Sequence, residues 1–193
     1  MTHRLFTATF IDNSLFENIY PGLKDDFRKA CTGKWVEREN LHFTYQFIGD
    51  TETNKANEMK EALGEYLKHY DSVLDIGILG AFPNPRKPRV LFIGISNPDG
   101  FVQEINTGME KILRKFGYHP DHSKFSPHVT LLRVKTFEPV LFEDAFMRNK
   151  SLHAGSMPGF EVRLIESKLT PLGPVYKFFK IFCHFFLFCV FIY

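Results

Sequence analysis

Two short strings in this chain, His42-Phe43-Thr44 and His128-Val129-Thr130, each place an imidazole two residues before a hydroxyl. On a strand, side chains alternate between faces, so each His would share a face with its Thr. A pair of imidazoles facing one phosphate can divide acid and base work, because an unperturbed pKa near 6.5 lets one be neutral and the other protonated around neutral pH. The two hydroxyls can donate to non-bridging phosphate oxygens, and a cation can offset the charge that develops in the transition state without a metal. Arg133 is the candidate clamp. It lies three residues after Thr130, on the opposite face of an ideal strand, and reaches the phosphate only if the strand twists or ends there. By the same alternation Leu41, Phe43, Tyr45 and Phe47 form the apolar face that enters a core.

The motif alone is weak. With eight His in 193 residues, chance spacing gives on the order of half a His-x-Thr per chain, and a single strand histidine is more often a structural hydrogen-bonding residue than a catalyst. The surrounding elements carry the argument. Arg4 to Ile11 reads as a strand, followed by Asp12-Asn13-Ser14 as capping side chains for a helix through Leu15, Ile19, Leu23 and Phe27. Thr32-Gly33 breaks that helix before the first His-x-Thr strand. Thr51 to Tyr70 reads as an amphipathic helix and Ser72 to Phe82 as a strand. The order then starts again. After the proline-broken connection Pro83 to Pro88, Val90 to Ser96 is a β run, and a helix carries Val102, Ile105, Met109, Ile112 and Leu113. The second His-x-Thr strand follows, then a helix from Phe137 to Asn149 and a strand from Phe160 to Thr170. Leu5 precedes His42 by 37 positions and Val90 precedes His128 by 38. Two matched halves, about 4–82 and 88–170, would bring two polar strand faces to one seam, where ligand sites commonly form.

Composition excludes several classes. A net charge of +2 from 24 basic and 22 acidic residues gives no global field for a large polyanion, while leaving room for a small anionic ligand. Cys31, Cys183 and Cys189 form neither a disulfide framework nor a zinc spacing. With no signal peptide at Met1-Thr2-His3-Arg4, a reducing cytoplasm is the expected compartment. His119 and His122 flank Pro120 in a solvated turn rather than a metal site, and His3, His69, His153 and His184 receive no role. Arg86-Lys87-Pro88-Arg89 reads as a solvated connector or as a basic rim for an RNA end, with Arg89 the candidate contact. Trp35, Phe82 and Tyr176 are core aromatics by default and base-stacking rings by alternative. Seven of the 22 Phe fall in the last sixteen residues. The tail 181–193 is too short for a spanning helix, which needs about 20 residues; it is either an out-of-frame end or an apolar edge.

Four stretches together resemble the two-histidine phosphoesterases, in particular the bacterial and archaeal RNA 2′,3′-cyclic phosphodiesterases also called 2′-5′ RNA ligases. They are Trp35 to Thr44, Gly80 to Pro85, Phe125 to Arg133 and Glu166 to Tyr176. The likeness runs to about Tyr176. Tyr45 stands where the first motif usually has Leu, and the tail matches nothing in the family. The resemblance implies an α+β fold: a bilobal pseudo-twofold duplication with mainly antiparallel sheets lining a central cleft and helices outside, in one two-lobed domain over 1–180. It implies hydrolysis of a 2′,3′-cyclic phosphate at an RNA end to a 2′-phosphate, with neither metal nor cofactor and with 2′-5′ ligation as the reverse reaction. His128 would be general base, His42 general acid, Thr44 and Thr130 phosphate ligands, Arg133 an assistant, and Phe82, Arg89 and Tyr176 the rim. RNA ends or small cyclic nucleotides are the expected partners, with no membrane and a monomeric chain. Alternatives are an RNA-end binding module with little catalysis, or a phosphodiesterase for another cyclic or 2′-5′ linked nucleotide.

Overall fold

Strand β1 (Thr2–Phe10) lies between a strand from the middle of the first half and one from the end of the chain, and that exchange sets the architecture. A computed structural model describes residues 1–119, 125–171 and 173–180; the expectations on His122, Cys183, His184, Cys189 and the segment 181–193 lie outside them. In chain order the remaining strands are β2 (Cys31–Trp35), β3 (His42–Glu52), β4 (His69–Tyr70), β5 (Leu74–Phe82), β6 (Val90–Ser96), β7 (His128–Phe137), β8 (His153–Met157), β9 (Phe160–Glu161), β10 (Arg163–Thr170) and β11 (Gly173–Phe178). Four α-helices are described: α1 (Ile19–Phe27), α2 (Thr53–Ala62), α3 (Phe101–Arg114) and α4 (Pro139–Asn149). One sheet runs β11-β10-β1-β3 and the other β2-β7-β6-β5-β8, with every pairing antiparallel; β4 and β9 form a small third sheet. The fold is α+β.

The strand orders reveal a correspondence. β1 is flanked by β3 and β10, and β6 by β7 and β5. Each half therefore lends its late strand, β5 or β10, to the sheet that holds the other half's first strand, and neither sheet is the product of one half alone.

The two His-x-Thr strands turn their backs into one core. Leu41, just before β3, Phe43 of β3 and Val129, Leu131 and Leu132 of β7 are all fully buried in the same cluster, with Tyr20, Leu23 and Phe27 of α1, Met109 and Leu113 of α3 and Phe142 of α4. Complete burial of such a Leu or Phe contributes about 1.5–3 kcal/mol, so the core faces of β3 and β7 fix which way their polar faces point. Helix α3 buries Val102, Ile105, Met109 and Leu113 at helical spacing, and Asn97 Oδ1, from the turn before its Gly100 N-cap, accepts the Val102 N–H of its first turn at 3.1 Å.

Several local expectations are corrected. The second helix spans Thr53–Ala62 rather than Thr51 to Tyr70, because β3 continues to Glu52 and the chain turns at Leu63-Gly64. Thr32-Gly33, read as a helix break, lies within β2, where Gly33 is required: a Cβ there would stand 2.3 Å from the Arg133 carbonyl oxygen. The expected strand from Phe160 to Thr170 is divided at Val162 into β9 and β10.

Candidate active site

Simple alternation holds for the first half of each motif and then breaks at the same place. In β3, Thr44 lies opposite Ala8 and Gln46 opposite Thr7, so Tyr45 is an extra residue; in β7, Thr130 lies opposite Phe92 and Leu132 opposite Leu91, so Leu131 is extra. Each is a β-bulge one residue after the motif Thr, and each puts two consecutive side chains inward: Tyr45 and Gln46, Leu131 and Leu132. The residue after the bulge returns to the polar face. That residue is Phe47 in β3 and Arg133 in β7, so the expected core position for Phe47 and away-facing position for Arg133 are both overturned by one device.

The bulges are held by specific partners. The Tyr45 hydroxyl lies 3.0 Å from Thr9 Oγ1, and Gln46 Nε2 donates to Asn106 Oδ1 of α3 at 2.7 Å. The Leu131 carbonyl accepts the Val36 N–H at 2.9 Å, and the Tyr20 hydroxyl lies 3.1 Å from the same oxygen. Tyr45 thus takes an inward position and adds a hydroxyl contact to β1.

The polar faces of β3 and β7 open on one cleft of about 510 Å³, lined by His42, Thr44, Phe47, His128, Thr130 and Arg133. Both imidazoles are held alike. His42 Nδ1–H donates to the Asn40 carbonyl at 2.6 Å and His128 Nδ1–H to the Ser126 carbonyl at 2.7 Å, each two residues upstream. A carbonyl only accepts, which fixes the proton on Nδ1 in the neutral rings and leaves both Nε2 atoms for a ligand. Aromatic packing completes the hold: Phe6, Phe10 and Tyr176 lie 5.3, 5.3 and 5.1 Å from the His42 ring, and Phe82 and Phe92 lie 4.9 and 5.0 Å from that of His128.

Burial pushes the His42 pKa below the ordinary imidazole value; the Asn40 carbonyl opposes this, and the Arg133 cation adds to it. Burial also raises the Tyr176 pKa, against the pull of Arg133. One guanidinium therefore acts on both His42 and Tyr176 across the cleft. The Cys31 thiol, pushed up to about 11 by burial, is no nucleophile near neutral pH.

Of the expected rim residues, Tyr176 lines the cleft, Phe82 stacks on Phe92 at 4.3 Å and supports His128 from behind, and Arg89 is an exposed residue outside the cleft lining. Trp35 lines it too. Sequence reasoning missed Arg4, Lys34 and Phe47 as lining residues; the first two lie on strands whose partners no periodicity announces. Among the described residues, no group of three or more His, Cys, Asp or Glu side chains is placed to hold a metal, and no helix is long and apolar enough to cross a membrane.

Two strands offering matched imidazole–hydroxyl pairs to a cleft with a guanidinium define a phosphoester-handling protein. Comparison with known proteins agrees. The family described as LigT like Phosphoesterase matches residues 21–92 and 95–176, and the chain belongs to it. The RNA 2′,3′-cyclic phosphodiesterase of Archaeoglobus fulgidus is 37% identical over 180 residues, covering 93% of this chain and 99% of that one. Its counterpart from Methanothermobacter thermautotrophicus is 33% identical, covering 94% and 99%. The fold matches that of E. coli LigT in complex with 3′-AMP, with a TM-score of 0.71, 21% identity and coverage of 93% and 97%.

Proposed function

We propose that this protein is an enzyme that hydrolyses 2′,3′-cyclic phosphate ends of RNA to 2′-phosphates. The observation that carries the reading is the matched pair of imidazoles, each with Nδ1–H tied to a carbonyl and Nε2 left to the same cleft. His128 Nε2 takes a proton from water as its oxygen attacks phosphorus. The bond from phosphorus to O3′ breaks, and protonated His42 delivers a proton to that oxygen from Nε2. Thr44 and Thr130 donate to the non-bridging oxygens, and Arg133 offsets their growing charge. With a 5′ hydroxyl attacking phosphorus in place of water, the same groups would form a 2′-5′ linkage as O3′ departs, a minor course because water is far more concentrated. The protein would act as a cytoplasmic monomer, with 1–180 as its working two-lobed domain.

The test is a short RNA ending in a 2′,3′-cyclic phosphate, incubated with the protein with and without a chelator, and in parallel with a version ending at Lys180. The expected product keeps its phosphate on the 2′ oxygen at the same rate in all arms. His42→Ala and His128→Ala should each lower turnover by about 10²–10⁴-fold while the chain stays folded. A 3′-phosphate product, or full activity in either variant, contradicts the assigned roles.

A further inference from the structure

Helices α1 and α3 follow the first strands of their halves, and each buries one hydrogen-bonding side chain among apolar ones. On α1 it is Tyr20, 2% exposed, and on α3 it is Asn106, 6% exposed. The two positions correspond, since each stands 22 residues before the motif histidine of its own half.

Both side chains reach across the seam. The Tyr20 hydroxyl, from the first half, shares its hydrogen between the Val36 carbonyl at 2.6 Å and the Leu131 carbonyl at 3.1 Å, and Leu131 is the extra residue of the β7 bulge. Asn106, from the second half, accepts from Gln46 Nε2 through Oδ1 at 2.7 Å and through its backbone carbonyl at 3.2 Å; Gln46 follows the extra residue of β3. Each half's first helix therefore grips the bulge of the other half. A Leu would fill the core face of α3 without needing a partner, and Asn is a poor helix former that is costly to bury, so packing does not account for Asn106. Burial, with the Glu37 carboxylate adding to it, pushes the Tyr20 pKa upward, so its hydroxyl stays a donor near neutral pH.

The bulges decide which side chains face the cleft, and a bulge that relaxed would turn Thr44 or Arg133 away from the phosphate. Resting on the function proposed above, we infer that Tyr20 and Asn106 are a crossed pair of positioning residues. Tyr20 of the first half sets Thr130 and Arg133 in the second, and Asn106 of the second half, through Gln46, sets Thr44 in the first.

The experiment measures kcat on an RNA end carrying the cyclic phosphate for Tyr20→Phe and Asn106→Leu, each also combined with Thr44→Val and with Thr130→Val. Either single variant should lower kcat by about tenfold or more while the chain stays folded. Tyr20→Phe should keep that cost in the Thr44→Val background and lose most of it in Thr130→Val, and Asn106→Leu should do the reverse, because only residues that act through one another fail to add. Gln46→Leu removes the second brace from the strand's side and should repeat the Asn106→Leu pattern even where that variant does not fold. A second readout needs no turnover: Arg133 holds the His42 pKa down, so an imidazole titration followed by NMR should show it move up in Tyr20→Phe. Equal costs in both backgrounds, coupling within one half, or an unmoved His42 titration in Tyr20→Phe would overturn the inference and leave the proposed reaction standing. Absence of turnover in the unaltered protein would sink the reaction itself.

Discussion

Burial works against the charge that an acid at His42 must carry. The ring is enclosed by Phe6, Phe10 and Tyr176, and Arg133 adds repulsion, so the free protein favours the neutral form at lower pH than ordinary imidazole does. A bound phosphate brings the opposite charge next to the ring and draws the proton back. The sign follows directly. An acid is lost as pH rises through its pKa, so the alkaline limb of kcat/KM, which reports the free enzyme, should fall below pH 6.5, and that of kcat, which reports the complex, should lie higher. His42→Ala should erase the alkaline limb from residual activity. If it erases the acidic limb instead, His42 is the base and the two roles are exchanged.

At the scale of elements, the rings that support the histidines depend on what lies behind them. Gly80 of β5 lies opposite Phe92 of β6, and a Cβ on Gly80 would come within 2.2 Å of the Phe92 ring. Gly80→Ala must therefore push Phe92, which packs on His128, and overpacking of this kind costs about 1–3 kcal/mol. The thermal midpoint should fall by roughly 2–12 °C, with kcat lowered alongside. Gly22→Ala in α1, where nothing lies within 4 Å of the added carbon, is the control and should be neutral or stabilising by up to about 1 kcal/mol.

The same scale explains what the sequence could convey. His42, Thr44, His128 and Thr130 obey period-2 alternation, and the structure brings all four to one cleft as that alternation implies. Phe47 and Arg133 did not follow, because a single inserted residue reverses every face beyond it, and nothing in the identity of Tyr45 or Leu131 announces the insertion. β2 was hidden for a related reason: Gly33 reads as a breaker locally and is demanded only by the closeness of β7.

For the molecule as a whole, the exchange of β5 and β10 means that neither half contains its own sheet. The fragments 1–85 and 86–180 should each lack a cooperative melt and recover sheet structure and turnover when mixed, followed by circular dichroism and the cyclic phosphate assay. A cooperative transition in either fragment alone would contradict the exchange as the source of stability. Intact protein should fold slowly for its size, since the β1–β10 pairing joins residues at opposite ends of the chain.

The matching seats after the two bulges hold unlike side chains, Phe47 and Arg133. Two identical half-length polypeptides assembled about a twofold axis would necessarily repeat whichever residue they carried, giving an interior that reads the same from either end. Joining the halves in one chain lifts that constraint: the groove acquires a direction, so the proposed RNA end, which has its own 5′-to-3′ sense, would enter one way round.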